Sequence, residues 1–564
     1  MMVVMPVIKR HISTPQWFRV LACASFAASA SITVAKTNTM DELLDSLKPV
    51  SKIANLNGVQ TLYVDGLPFA VTGAQCDIWR STKQDKVAEA FFVGYREMNA
   101  TTVSVGVPWS KVEGKQDVYD FRFLDWFITQ ARKNGLKLVV NLFNVNVCGK
   151  VMEGAGSSVY PGYTPSYIID QPETYQRMVF PYRYKYVEAG PPMCPNDPKT
   201  LEREIAYVRK VAKHLRETDF DRTVIMVQLN NEYYYQQWVE IGPSNDEEVK
   251  AVRCQCANCL KKWKSGKYAT GQDFMFASFA DNVRKLSDSF SKEYRLPLYV
   301  NSPWWPPEVI PVFLDRCPKL AFVGIDGILT PREPNWLSTG QLSRNIPFAA
   351  ENPTENSEVR QNLDVLPYYT VFGRAGIGNL LWECHAPFTV VDDPAAKKRY
   401  GDALHPIKNA LVPIMKTRNT RRFLGWYALR DIRPNLTTDI FGNFVPAKDD
   451  GSPISKDKWF IREGSESRIV DECPFRAEID GIKVTVEGCP AGVILKEGQN
   501  RLVVAMQSGR LRLSGLGVIR AEIGKYVGKE WVSEGAYATK SVEGEVLMEI
   551  PQPSVIRLTY RRTK

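Results

Sequence analysis

A chain of 564 residues exceeds what one core normally organises, so two or three domains are expected. Its 44% apolar and 24% charged residues are those of a globular protein. Low-complexity tracts and solenoid or propeller repeats do not occur, which excludes disordered and repeat architectures. The net charge of +10 is spread along the chain, not gathered into a stripe, which argues against a nucleic-acid partner.

In chain order, Lys9, Arg10 and Arg19 precede a short apolar stretch, Val20 to Ala35, rich in Ala and Ser. Residues 1–35 read as a signal peptide, so a secreted or periplasmic location is expected. Its removal takes three positive charges and no acid, leaving +7. The stretch is short and weakly hydrophobic for a membrane anchor. Arg19, just ahead of Val20-Leu21-Ala22-Cys23, disfavours a lipoprotein. No membrane contact beyond such an anchor is expected, and self-association is left open.

From about residue 60 to 410, short apolar strands alternate with longer amphipathic segments. Leu62 to Val71 predicts a hairpin around Asp65-Gly66. A helix over 84–98 leads to a strand at Thr101–Val107, and a helix over 122–134 stops at Asn134-Gly135 before a strand at Leu136–Leu142. A long helix over 199–217 precedes the β-branched strand Thr223–Leu229. Strands at 297–301, 321–326, 346–350 and 377–382 complete eight, counted from Ala70. This α/β alternation predicts a (β/α)₈ TIM barrel over residues 36–415, with reactive groups just past the strands' C-terminal ends. Beyond about residue 420, Phe475–Val486, Arg501–Met506, Val518–Ile523 and Ser554–Tyr560 alternate apolar and polar residues between Gly, Pro, Asn and Asp turns. They predict an accessory β-sandwich over residues 416–564.

The strand-end rule then selects residues. Glu232 follows the fourth strand behind two amides, Asn230 and Asn231, and Glu351 is the first polar residue of the seventh. Two carboxyls facing each other across a sugar are what glycoside hydrolysis needs. One protonates the leaving oxygen and the other attacks the anomeric carbon. A lone Glu at a strand end is more often a surface ion-pair partner, whereas two after strands four and seven are much rarer by chance. Glu355 and Glu358 lie farther along and are expected to be solvated. By the same rule Gln75, Asp77 and Trp79 follow strand one, Trp109 strand two, and Asn141 and Asn144 strand three. Asn301, Trp304 and Trp305 follow strand five, Asp326 strand six, and Trp382, Glu383 and His385 strand eight. Of these, Trp79, Trp109, Asn144, Asn301, Trp305 and Trp382, together with Asn231, form the expected sugar pocket. The 13 Trp, 24 Tyr and 25 Phe suit such a ligand, which has an apolar face and a hydroxyl rim, although any large core uses aromatics too.

The barrel resembles the β-galactosidases of glycoside hydrolase families 35 and 42. Val64-Asp65-Gly66-Leu67-Pro68-Phe69 is similar to the opening of the family 35 barrel. Pro108-Trp109-Ser110 with Val118-Tyr119-Asp120-Phe121 is similar to a segment shared by both families. Gln228-Leu229-Asn230-Asn231-Glu232-Tyr233 resembles their acid/base motif, and Ala350-Glu351-Asn352-Pro353-Thr354 the family 42 nucleophile segment. The tail Ala521-Glu522-Ile523-Gly524-Lys525-Tyr526 and Lys529-Glu530-Trp531-Val532 also resembles the end of some family 35-type proteins. The likeness covers about residues 55–410. It implies a retaining hydrolase in which Glu232 is the acid/base, Glu351 the nucleophile and Asn231 the partner of the sugar's 2-hydroxyl, with no cofactor for catalysis. Asn230 replaces the acidic residue usual in the families, and Tyr234 a glycine, which leaves the sugar specificity open. In such a pair the ionised nucleophile raises the acid's pKa by like-charge repulsion until it is glycosylated. A carboxyl separation of about 5 Å marks retention, against roughly 6.5–9.5 Å for inversion.

Among the 11 cysteines, Cys254-Gln255-Cys256-Ala257-Asn258-Cys259 forms a turn that can direct three thiolates at one metal, and tetrahedral zinc takes a fourth ligand. The family 42 resemblance implies a structural zinc completed by an earlier cysteine, and Cys194-Pro195-Asn196 stands in the matching place. Disulfides, which export would permit, compete with this reading. Cys473 and Cys489 could bridge within the sandwich. Only four histidines occur, which excludes a His-rich metal site, and His214 falls inside a helix. Two rivals are weighed: another exo-β-glycosidase on the same barrel, such as a β-glucosidase or β-arabinosidase, and a non-catalytic carbohydrate-binding protein.

Overall fold

The structure is a computed structural model. It describes residues 50–76, 84–145, 151–152, 159–160, 162–179, 192–231, 254–303, 309–326, 345–373, 376–383, 388–429, 436–438, 444–446, 458–471 and 473–563. The expected signal peptide lies outside them. Among the described residues no helix is long and apolar enough to cross a membrane.

Eight parallel strands close into a barrel. They are β1 (Val71–Cys76), β2 (Thr102–Pro108), β3 (Lys137–Phe143), β4 (Val224–Gln228), β5 (Leu298–Pro303), β6 (Leu320–Asp326), β7 (Phe348–Pro353) and β8 (Gly378–Glu383). The sequence pattern predicts all eight in this order. Nearly every side chain of β1 to β4 is buried, because a barrel strand packs on the interior with one face and on helices with the other. Gly378 of β8 pairs with Val71 of β1 and closes the ring. A Cβ on Gly378 would stand 2.1 Å from the Val71 carbonyl oxygen, so only glycine permits this approach.

Helices α1 (Gln84–Glu97), α2 (Arg122–Lys133), α3 (Pro198–Thr218), α4 (Ala257–Ser265), α5 (Gly271–Ser291), α6 (Val309–Arg316), α7 (Pro394–Asn409) and α8 (Leu411–Thr417) accompany the barrel. Local chemistry sets their ends. Asp197 caps α3 by accepting from the Thr200 amide at 2.9 Å, with Pro198 in the first turn. Helix α2 stops at Asn134, and Gly135 takes φ 64, as the Asn-Gly pair predicts.

Ahead of the barrel, Ser51–Leu56, Val59–Val64 and Leu67–Phe69 form a three-stranded antiparallel sheet. Its turns, Asn57-Gly58 and Asp65-Gly66, hold both residues at positive φ, the geometry that matches strand twist. The expected hairpin ran on to Val71. The structure ends it at Phe69, because the Val71 amide donates to the Ile377 carbonyl and belongs to the barrel.

The C-terminal region is all-β, with an eight-stranded sheet beginning at Phe423–Leu429 and a five-stranded sheet beginning at Phe475–Ile479. Alternate residues are buried in Phe475–Ile479 and Ile482–Glu487, whose turn is Asp480-Gly481. This region packs on the barrel through Tyr427 against Phe372 and through Gln507 Nε2, which donates to the Asp364 carbonyl at 2.6 Å. Cys473 and Cys489 are both free thiols, which corrects the expected bridge. The Cys473 thiol instead donates to the Val486 carbonyl at 3.7 Å and that of Cys489 to the Ala491 carbonyl at 3.1 Å.

Candidate active site

Glu351 stands near the end of β7, 8% exposed. The Nε2 of Gln75, from β1, donates to its Oε1 at 2.7 Å. Gln75 Oε1 in turn accepts from Asn141 Nδ2 on β3. Asn141 Oδ1 accepts from the Tyr299 hydroxyl on β5 at 3.1 Å. Side chains of three strands thus form one line that ends on the carboxyl of a fourth, which strand-end logic singled out. Gln75 and Asn141 carry the same signal. Tyr299 was missed because it lies inside its strand; the clue was its place two residues before Asn301, on the same strand face.

Asn231, just past β4, is buried. Its Oδ1 accepts from Gln228 Nε2 at 2.9 Å and from Asn301 Nδ2 at 2.8 Å. Two donors on the oxygen fix which way the amide faces, and they join β4 to β5. The structure therefore brings together Asn231 and Asn301, two expected pocket residues. Trp382, at the end of β8, is partly exposed. Glu232, Asp77, Trp79, Trp304, Trp305 and His385 lie outside the described residues, as does the Asp326 side chain.

Two expected pocket residues, Trp109 and Asn144, turn inward, as does the strand-end residue Glu383. Trp109 is fully buried, stacks on Tyr207 and donates its Nε1–H to Glu113 Oε2 at 2.8 Å. It opens the short helix Trp109–Val112, so its ring packs under α3 and not over the barrel mouth. Glu113 also accepts from the Asp117 amide and pairs with Arg203 of α3. Asn144 is fully buried and spends its Nδ2 on the Leu229 carbonyl at 3.0 Å and on Glu204 Oε1 at 3.3 Å. It supports the chain leading to Glu232 from behind. Glu383 accepts from the Tyr95 hydroxyl on α1 and from the Val390 amide at 3.2 Å. Burial raises its carboxyl to about 7.

Glu204, on α3, was not anticipated. It accepts from Asn144 and from Asn282 Nδ2 of α5, the latter at 3.1 Å, and burial raises its carboxyl to about 7. His214 bonds Asp125 through Nε2 at 2.6 Å and stacks on Phe121, a structural role that its helical position predicts.

The sulfurs of Cys194, Cys254, Cys256 and Cys259 lie within 4.8 Å of one another, all buried and none bridged. Backbone amides of Val179, Asn196 and Cys259 donate to Cys254, Cys194 and Cys256, each at 3.4 Å. Asn196 Nδ2 donates to Cys259 at 3.2 Å. Hydrogen bonds from Cys194 and the other two thiols drive Cys256 well below the usual thiol range. Four converging sulfurs, each supplied with an N–H donor, fit a tetrahedral thiolate metal site.

Residues 78–274 match the glycoside hydrolase family 42 model, described as beta-galactosidase. The protein is a glycosidase, similar over this stretch to β-galactosidases. Among solved structures, this glycosidase is similar to endo-glycoceramidase II from Rhodococcus sp., at 12% identity and TM-score 0.41, covering 88% of this chain and 98% of that one. A β-galactosidase from Rahnella sp. R3 matches at 13% identity and TM-score 0.43, covering 66% and 59%. A family 30 subfamily 8 xylanase from Clostridium acetobutylicum matches at 9% identity and TM-score 0.40, covering 87% and 96%. No curated protein matches the glycosidase by sequence.

Proposed function

We propose that the protein is a retaining, β-galactosidase-like enzyme that releases terminal sugars from oligo- or polysaccharides by double displacement. Glu351 attacks the anomeric carbon as the bond to the leaving oxygen breaks, and Glu232 gives that oxygen its proton. Water then attacks the glycosyl ester, passes a proton to Glu232, and frees a sugar with its original anomeric configuration. Asn231, its oxygen already held by two donors, offers Nδ2–H to the 2-hydroxyl. Asn301 holds Asn231, and Trp79, Trp305 and Trp382 supply flat apolar faces. A zinc ion on Cys194, Cys254, Cys256 and Cys259 would brace this quarter of the barrel, without entering the chemistry. Residues 1–35 direct export, residues 36–415 form the catalytic barrel, and residues 416–564 its accessory domain.

The observation that carries the reading is Glu351, a buried carboxyl near the C-terminal end of β7 that accepts a hydrogen bond from Gln75 across the barrel. Purified protein should hydrolyse one member of a panel of aryl β-glycosides, with the first-formed product retaining its configuration by proton NMR. Glu232→Gln and Glu351→Gln should keep their folding and sugar affinity and lose at least about a thousandfold in turnover. Sugar binding without turnover of any glycoside by the unaltered protein would favour the binding-protein rival.

A further inference from the structure

Barrel interiors are usually filled by branched apolar side chains. Here a line of polar ones crosses the interior, from Tyr299 on β5 through Asn141 on β3 and Gln75 on β1 to Glu351 on β7. The first three are fully buried. Such a line is costly unless its members are mutually satisfied, so its order carries information.

The line has a direction. The Tyr299 hydroxyl satisfies Asn141 Oδ1 by donating, which turns the Asn141 NH₂ toward Gln75. Gln75 meets that NH₂ with its oxygen, which turns its own NH₂ toward Glu351. Turning over either amide would set oxygen against oxygen or N–H against N–H. Every donor therefore points toward the carboxyl. Donors aimed at a carboxylate favour its charged form, and aligned amide dipoles reinforce one another. Tyr299 is itself fixed by stacking on Phe322 and by the edge of Phe348.

We propose that Tyr299, Asn141 and Gln75 form a one-way hydrogen-bond relay that keeps Glu351 ionised and holds it in the attacking orientation. They are positioning residues, and the assignment rests on Glu351 being the nucleophile. The strength of the effect should fall with distance along the line: largest for Gln75, intermediate for Asn141, smallest for Tyr299.

The test uses the full chain with para-nitrophenyl β-galactoside, and a dinitrophenyl β-galactoside carrying fluorine at carbon two as the trap. The trap forms a stable ester on the nucleophile, and peptide mass mapping locates it. The acid limb of kcat/KM against pH reports the ionisation of that carboxyl. Gln75→Leu should move the limb upward by about one pH unit and slow trapping by about tenfold or more. Asn141→Leu should do less and Tyr299→Phe least, with KM nearly constant. Tyr299→Phe removes one oxygen and keeps the ring, so it guards against a variant that fails to fold. Wild-type trapping rates and an unmoved acid limb in folded Gln75→Leu and Asn141→Leu would overturn the relay while leaving Glu351 as nucleophile. A label on another residue would overturn the nucleophile assignment itself, and the relay with it.

Discussion

Glu204 shows how much one buried carboxyl can govern. Among the described residues its hydrogen-bond partners are the amides of Asn144 and Asn282. Burial raises its carboxyl to about 7, above the roughly 4.3 of an unfolded glutamate, so the folded state binds the proton more tightly. The stability this contributes is full below about pH 4, is lost as pH rises toward 7, and does not return at higher pH. The loss is on the order of 3 kcal/mol. Glu204→Gln should flatten the dependence of the urea midpoint on pH between about 5 and 7, leaving a slope of the same sign from Glu383, buried in the same way, opposed by His405, whose pKa burial lowers. An unchanged slope would mean that Glu204 stays ionised in the fold. Side chains of this kind are hard to find in a sequence. Glu351 and Asn231 stood out because they end strands, whereas Glu204 sits on a helix whose acids are mostly solvated. Trp109 misled for the converse reason: the residue after β2 starts a helix and turns its ring under α3.

At the scale of elements, the cysteine turn is the most informative local feature. Cys256 is the N-cap of α4 and accepts from the Cys259 amide, so the helix start and the sulfur cluster are one structure. Three of its four members are legible from Cys254-Gln255-Cys256-Ala257-Asn258-Cys259. The fourth, Cys194, lies 62 residues before Cys256 and needed the fold, or a family resemblance, to join it. Purified protein should carry about one zinc per chain by elemental analysis, and prolonged chelation should lower its Tm. Cys259→Ser should reproduce the chelated Tm and respond little to further chelator. Metal-free protein with an unchanged Tm, or cysteines unreactive to a thiol reagent for want of free thiols, would return the cluster to disulfides. The strands were legible for a simpler reason: barrel strands are apolar runs of regular length between amphipathic helices. The Asn57-Gly58 turn was overlooked, although Asn-Gly between apolar runs is a strong hairpin signal.

At the scale of the molecule, one arginine links three parts of the chain. Arg418, just past α8, is 1% exposed. It donates to the carbonyls of Val371 and Gly376 in the barrel at 2.8 and 2.9 Å, and to Thr61 Oγ1 in the N-terminal sheet at 3.0 Å. Arg462 of the sandwich donates beside it to the Phe372 carbonyl and to Asn419 Oδ1. Arg418→Met fills most of the space but leaves these acceptors without a donor. It should cost on the order of 3 kcal/mol, read as a lower urea midpoint. A change below about 0.5 kcal/mol would show that the joint does not depend on Arg418. The order of these parts could be read from the sequence, but not the joint, since an arginine ending a helix usually reaches solvent.

Closure of the barrel also has a consequence in time. Strand β1 takes its second neighbour only when β8 arrives, and Gln75 meets Glu351 across 276 residues of chain. A ribosome making this protein has therefore released nearly four hundred residues before Glu351 can be seated. Until then the growing chain exposes an open sheet with two unpaired edges, the state that chaperones recognise and that aggregation consumes. Hydrolytic activity appearing during synthesis would thus act as a clock for ring closure, and it should lag emergence of β8, not of Glu351.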